Sequence, residues 1–183
     1  MSIKPVIRMG HPTLKKVAEK VRPDEFGSSE LNNLITDLFD TMKHESGLGI
    51  AAPQINVSKQ VAIIELPESS PRYDDITASE KFIIINPEIT YLTEELQGFF
   101  EGCLSVPGLR GFVERPKKIK VNFFNELGEE RDVVLEGFLA TVFQHELDHL
   151  FGILYVERIK DIKTLSFNEE FQQFQNSSKP TID

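Results

Sequence analysis

The sequence predicts an α+β protein in which antiparallel β-sheets pack around one buried central helix. Three observations lead there. The first is a run bracketed by Gly137 and Gly152 and dense in apolar residues: Phe138, Leu139, Ala140, Val142, Phe143, Leu147 and Leu150. A helix apolar nearly all round is a buried one. The second is a series of β-branched or alternating runs: Val61–Leu66, Lys81–Asn86, Ile119/Val121/Phe123 and Val133/Leu135. The third is their order, strands in succession with few helices and no regular βαβ alternation, which argues against a parallel sheet. A chain of 183 residues suits one core. No repeat or break in composition marks a second domain, so 1–183 is read as a single domain.

Taken in order, Met9–Ala18 runs from a turn into a short amphipathic piece ending near Pro23. His11 precedes Pro12 in that turn and reads as a local hydrogen-bonding residue. Ser28 and Ser29 have the chemistry of N-caps. Leu31, Leu34, Ile35, Leu38, Phe39 and Met42 follow at helical spacing, predicting a helix from about Ser29 to His44 with one core-facing stripe. His44, in its last turn, complements the helix dipole. Gly47-Leu48-Gly49-Ile50-Ala51-Ala52-Pro53-Gln54 is either a tight connector or a backbone that must pass close to something else. It is not a phosphate loop, lacking the Lys-Ser/Thr pair and the opening strand. Pro67 and Pro87 are expected to end two strands, with Glu68–Asp75 a polar surface loop between them. Asn125–Gly128 is a hairpin turn leading toward the buried helix. The tail from about Asn168 is polar and expected to be loosely held.

The formal net charge of −9 excludes nucleic-acid binding by bulk charge, and Lys117, Lys118 and Lys120 read as the solvated face of a strand. No apolar run could span a bilayer, so no membrane association is expected. The first residues lack a secretory or import signature, which points to the cytoplasm. A single cysteine, Cys103, precludes an intrachain disulfide.

The chemistry concentrates in Gln144-His145-Glu146-Leu147-Asp148-His149. Histidines four apart on a helix project from one face, and both imidazoles can reach one metal ion. Glu146 follows the first, where it can act as a base on a metal-activated water. Buried polar groups need partners, and a metal supplies them. A catalytic site of this kind keeps three protein ligands and one open position, and from chemistry alone the third ligand is open. Tyr155 stands where one metalloprotease pattern has a third histidine and is a poor substitute. Glu157, Glu169 and Glu170 are the candidates of another pattern. Cys103, in Glu101-Gly102-Cys103-Leu104-Ser105, would complete a thiolate–imidazole set suited to zinc or iron. Asp148, Gln144 and Glu101 are either structural or partners of the ligands.

The three stretches 47–54, 101–105 and 144–149, in this order, resemble the three motifs of the peptide deformylase family. His11-Pro12-x-Leu14 and Val106–Arg115 look like that family too, so the resemblance spans about Ile7 to Lys160. It implies a hydrolase that removes the formyl group from the N-terminal formylmethionine of nascent polypeptides. Cys103, His145 and His149 would hold Fe2+, with Zn2+, Ni2+ or Co2+ able to replace it. Glu146 would be the general base and acid. Gln54 and the backbone N–H of Leu104 would stabilise the oxyanion. The backbone of Leu48, Gly49 and Ile50 would pair with the substrate. Phe138, Thr141 and Val142 would line the methionine pocket with Leu48, and Arg110 would lie near its rim. The family also implies transient ribosome association, through a long basic C-terminal helix in many bacterial members. The tail here is acidic or neutral.

Overall fold

A computed structural model of the chain describes residues 3–66, 81–174 and 181–182; Pro67 and the expected loop Glu68–Asp75 lie outside these. Helix α1 spans Ser29–His44. The strands are β1 (Gly49–Ala51), β2 (Val61–Ile64), β3 (Phe82–Tyr91), β4 (Leu96–Cys103), β5 (Val106–Pro116), β6 (Lys118–Phe124) and β7 (Glu130–Glu136). Helix α2 covers Gly137–Leu150, followed by β8 (Ser166–Phe167), α3 (Asn168–Phe174) and β9 (Thr181–Ile182). Among the described residues, one sheet runs in the order β1-β2-β3-β6-β7 and the other β8-β5-β4-β9. Pairing is antiparallel except for β9 against β4.

The first sheet is covered on both faces, which explains why Val61-Ala62-Ile63-Ile64 is an unbroken apolar run. Side chains alternate across a strand. Val61 and Ile63 pack with Ile50 and the α1 stripe of Leu31, Ile35, Leu38 and Met42. Ala62 and Ile64 pack with Phe143, Leu147 and Leu150 of α2. Helix α1 starts where its cap predicts, the Ser28 hydroxyl accepting from Leu31 N–H at 3.2 Å. His11 caps its own turn, Nδ1 accepting from Thr13 N–H at 3.2 Å. Lys117, Lys118 and Lys120 pair with the surface carboxylates Glu95, Glu136 and Asp132.

Two elements differ from the expectation. Strand β3 does not stop at Pro87 but continues to Tyr91. Its register with β6 shifts between Ile85 and Glu88, and Asn86 takes a positive φ of 50°. A bulge is where a sheet tolerates proline, since the missing N–H leaves no gap in the ladder. The Asn86 carboxamide brackets the Val21 backbone, donating at 2.8 Å and accepting at 2.9 Å. Residues 168–174 of the polar tail also form a helix. Helix α3 buries Phe171 against the Phe100 ring, 4.6 Å between centroids. Two phenylalanines in a polar sequence, of which only Phe171 is buried, carry too little periodicity to announce that docking.

Candidate active site

Helix α2 lies in the interior, with every residue from Ala140 to Leu150 buried. Its two histidines sit one turn apart, ring centroids separated by 5.2 Å. Cys103 ends β4 in the second sheet, and its Sγ is 3.3 Å from His149 Nε2. One ligand atom from each of Cys103, His145 and His149 falls within 4.8 Å of the others. That convergence, and a soft thiolate beside two imidazoles, fit a single zinc or iron ion. The glutamate alternatives do not converge there. Glu157 pairs with Lys15, and Glu169 and Glu170 open α3. Tyr155 stacks near His145, centroids 6.0 Å apart, and its hydroxyl donates to Leu109 O at 3.0 Å.

The two histidines are held differently. His145 Nδ1 lies 2.7 Å from the Glu101 carboxylate, turning Nε2 toward the ligand cluster. His149 Nδ1 is buried without a hydrogen-bond partner among the described residues. Burial disfavours the charged form of both. For His145, hydrogen bonds to Cys103 and Glu101 outweigh burial and hold its pKa well above the ordinary value. For His149, burial and then the neighbouring His145 charge push it well below. A metal ion would need the neutral imidazole of both histidines.

Behind His145 runs a chain of buried charges. Glu101 is fully buried, which alone would raise its pKa, but the Arg115 guanidinium brings it down to about 2. Arg115 grips both Glu101 oxygens, at 2.6 and 2.9 Å, and donates to Asp148 at 2.8 Å. Asp148 in turn accepts from Arg158 at 2.6 and 3.1 Å. Of the three residues open to either reading, Glu101 touches a candidate ligand and Asp148 pairs with arginines. Gln144 instead donates to the Pro116 and Ala140 carbonyls.

Leu48, Gly49, Gln54, Cys103, Leu104, Val142, His145 and Glu146 surround a pocket of about 20 Å³, room for about one water. Gln54 is oriented across it: its Oε1 accepts from Ala51 N–H at 2.8 Å, leaving Nε2 toward Ser105 Oγ (3.3 Å) and Cys103 Sγ (3.6 Å). Glu146 Oε2 is buried without a hydrogen-bond partner among the described residues. Burial pushes this carboxyl up to about 7, the range suited to proton transfer near neutrality.

Gly49 meets Glu146 at close range and so decides between the two readings of stretch 47–54. A Cβ there would lie 2.7 Å from Glu146 Cγ and 2.8 Å from Cδ and Oε1. Gly49→Ala is therefore expected to displace the carboxylate and lower turnover by about 10–100-fold, the scale of an ångström misplacement. Metal content should be unchanged; kinetics alongside metal analysis check this.

Not every candidate joins this pocket. The Ile50 side chain packs toward α1. Phe138 lies edge-on to Phe99, centroids 5.7 Å apart. Thr141 Oγ1 accepts from Gln97 at 2.8 Å. Arg110 is under α3, 5.3 Å from the Phe171 ring and 3.3 Å from Asn168 Oδ1, and the small pocket does not include it. Sequence reasoning gave no role to Arg115, Arg158 or Ser105. A buried arginine carries no signal until its carboxylates are seen to face it.

A thiolate and two imidazoles beside space for one water, with a buried carboxylate and a carboxamide donor on its walls, define a mononuclear metallohydrolase. The comparisons with known proteins narrow that class. The family model for polypeptide deformylase matches residues 3–165. A peptide deformylase of Leptospira biflexa is 44% identical over 170 residues, 93% of this chain and 95% of that one. The Met-Ala-Ser-bound crystal structure of class I type b peptide deformylase from Acinetobacter baumannii superposes with a TM-score of 0.82 at 43% identity, covering 87% of this chain and all of that one. The actinonin complex of the Ehrlichia chaffeensis peptide deformylase gives 0.79 at 32% identity, covering 90% of this chain and 92% of that one. The chain belongs to the polypeptide deformylase family. It is a metal-dependent hydrolase that removes the N-terminal formyl group.

Proposed function

We propose that Cys103, His145 and His149 hold one Fe2+, replaceable by Zn2+, Ni2+ or Co2+, and that the substrates are N-formylmethionyl nascent peptides in the cytoplasm. The observation that carries this reading is that Glu146, the Gln54 amide and the candidate ligands Cys103 and His145 line one pocket of about 20 Å³. When bound, the ion supplies a Lewis acid that lowers the pKa of a coordinated water toward ~7. Glu146 takes a proton at its buried Oε2 and returns it to the departing amine. Gln54 Nε2 and Leu104 N–H donate to the oxygen on which charge develops, a contribution of about 10²–10³ in rate for one such donor. Burial of α2 excludes bulk water, so these donors act at low dielectric.

Strand β1 terminates the first sheet among the described residues, which supports binding of the peptide as an added strand along Leu48, Gly49 and Ile50. Val142 and Leu48 form the apolar wall nearest the reacting carbon, with Phe138 and Thr141 further along the same helix and Arg110 at the outer rim. The Met-Ala-Ser complex of the Acinetobacter baumannii relative supports a methionine-led peptide here. We further propose transient association with the ribosome, the source of the substrate. Helix α3 opens with Glu169 and Glu170 and has no basic residue in its last turn, so its charge would not serve such docking. Among the described residues, no helix is long and apolar enough to cross a membrane.

The test is formate release from formyl-Met-Ala-Ser by anaerobically purified, Fe2+-loaded protein. Rapid release blocked by a hydroxamate chelator is expected. No release from fully loaded protein would overturn this reading.

A further inference from the structure

The chain of charges behind His145 ends at the surface on Arg158, in the 3-10 turn Tyr155–Arg158. Its side chain is 41% exposed, whereas that of Arg115 is 4% and that of Glu101 is fully buried. We propose that Arg158 is a positioning residue for the metal site, fixing the orientation of His145 through Asp148, Arg115 and Glu101. The inference rests on His145 being a metal ligand.

Geometry supports a directed chain rather than a loose cluster. Arg158 holds both Asp148 oxygens, at 2.6 Å to Oδ1 and 3.1 Å to Oδ2. This fixes the carboxylate plane and aims Oδ2 at Arg115, 2.8 Å away. Arg115 then has its remaining fork in register with Glu101, at 2.6 and 2.9 Å, and Glu101 Oε2 reaches His145 Nδ1 at 2.7 Å. Each guanidinium is planar and rigid, so a rotation at one end must be taken up by the next member. The charges also balance: two carboxylates and two guanidinium groups, with His145 neutral once a metal is bound. Losing Arg158 leaves one excess negative charge and frees Asp148 to turn toward solvent, loosening the Arg115 fork in a buried place where such pairs are little screened.

A second observation makes this chain matter. His149 Nδ1 has no hydrogen-bond partner among the described residues, so on the side away from Cys103 its ring is held by packing alone. The polar orientation of the two-histidine pair therefore falls on His145 and the groups behind it.

The competing explanation is that Arg158 merely pins its turn to α2. Glu157 separates the two. It belongs to the same turn, accepts from Leu154 N–H at 2.8 Å and pairs with Lys15 at 2.7 Å, and its carboxylate makes neither of these bonds to Asp148, Arg115 or Glu101. Co2+ affinity, from chelator competition, and the visible Co2+ absorption band are measured for wild type, Arg158→Ala, Arg158→Lys and Glu157→Ala. Arg158→Ala should bind Co2+ about 3–10-fold more weakly with a shifted band. That is less than the ~10–100-fold typical of a partner touching the ligand. Arg158→Lys should fall between it and wild type, and Glu157→Ala should match wild type in both readouts. Affinity of Arg158→Ala within about twofold of wild type, or an equal loss in Glu157→Ala, would overturn the proposal. A wild-type protein that takes up no Co2+ would instead overturn the ligand assignment beneath it, and the proposal with it.

Discussion

Replacing Glu146 by alanine is expected to lower turnover by at least ~10²-fold while leaving the metal in place, the usual scale for losing a general acid–base group. The carboxylate is buried, one oxygen has no hydrogen-bond partner among the described residues, and burial pushes its pKa up to about 7. A group held this way contributes little to the fold, because an unpartnered buried charge opposes folding. The thermal midpoint of Glu146→Ala should therefore equal or exceed that of the parent. Reduced formate release with full metal content and undiminished stability would be the signature of a residue kept for chemistry. Near-normal rates would remove Glu146 from the mechanism.

Cys103→Ala is expected to act on the metal itself. It removes the only sulfur among the candidate ligands and the one donor that does not come from α2. His145 and His149 alone make an incomplete set, so affinity should fall by more than the ~10–100-fold of an outer partner. Activity should follow occupancy rather than fall at full loading. Metal analysis after dialysis against a chelator checks this, and a fully loaded mutant would contradict the assignment. A zinc peptidase using a glutamate as third ligand would keep its metal in this variant. Glu157, Glu169 and Glu170 are all engaged elsewhere or carried on α3, which is why that outcome is not expected.

The parts of this protein legible in the sequence are those where one residue type is hard to explain in its surroundings. Two histidines and two acids inside an apolar run announced α2, and a capped apolar stripe announced α1. Cys103 was one option among several on chemical grounds, and only its company of three ordered motifs singled it out. The β4–β5 hairpin was harder to read, since glycines and prolines interrupt its alternation. Pro87 misled because a bulge at Asn86 accommodates it. Arg115 and Arg158 were silent because ion pairs across Glu101 and Asp148 join segments with no common periodicity. Arg110 had no signal of its own in the sequence: its place at the substrate rim comes from the family resemblance, and its packing beside Phe171 of α3 could not be foreseen.

The placement of the donors on different layers has a mechanical consequence. His145 and His149 ride on a helix packed against the first sheet, while Cys103 closes a strand of the second. An ion shared among them is a rivet through two plates, and the cleft between β1 and the end of β4 is the seam it fastens. Stripping the ion would then do more than silence the chemistry: it would let the two halves of the binding groove drift relative to each other. Binding that favours only the assembled arrangement stabilises it by mass action, so with these three residues as ligands metal supply would set how long the groove keeps its shape as well as how fast it works.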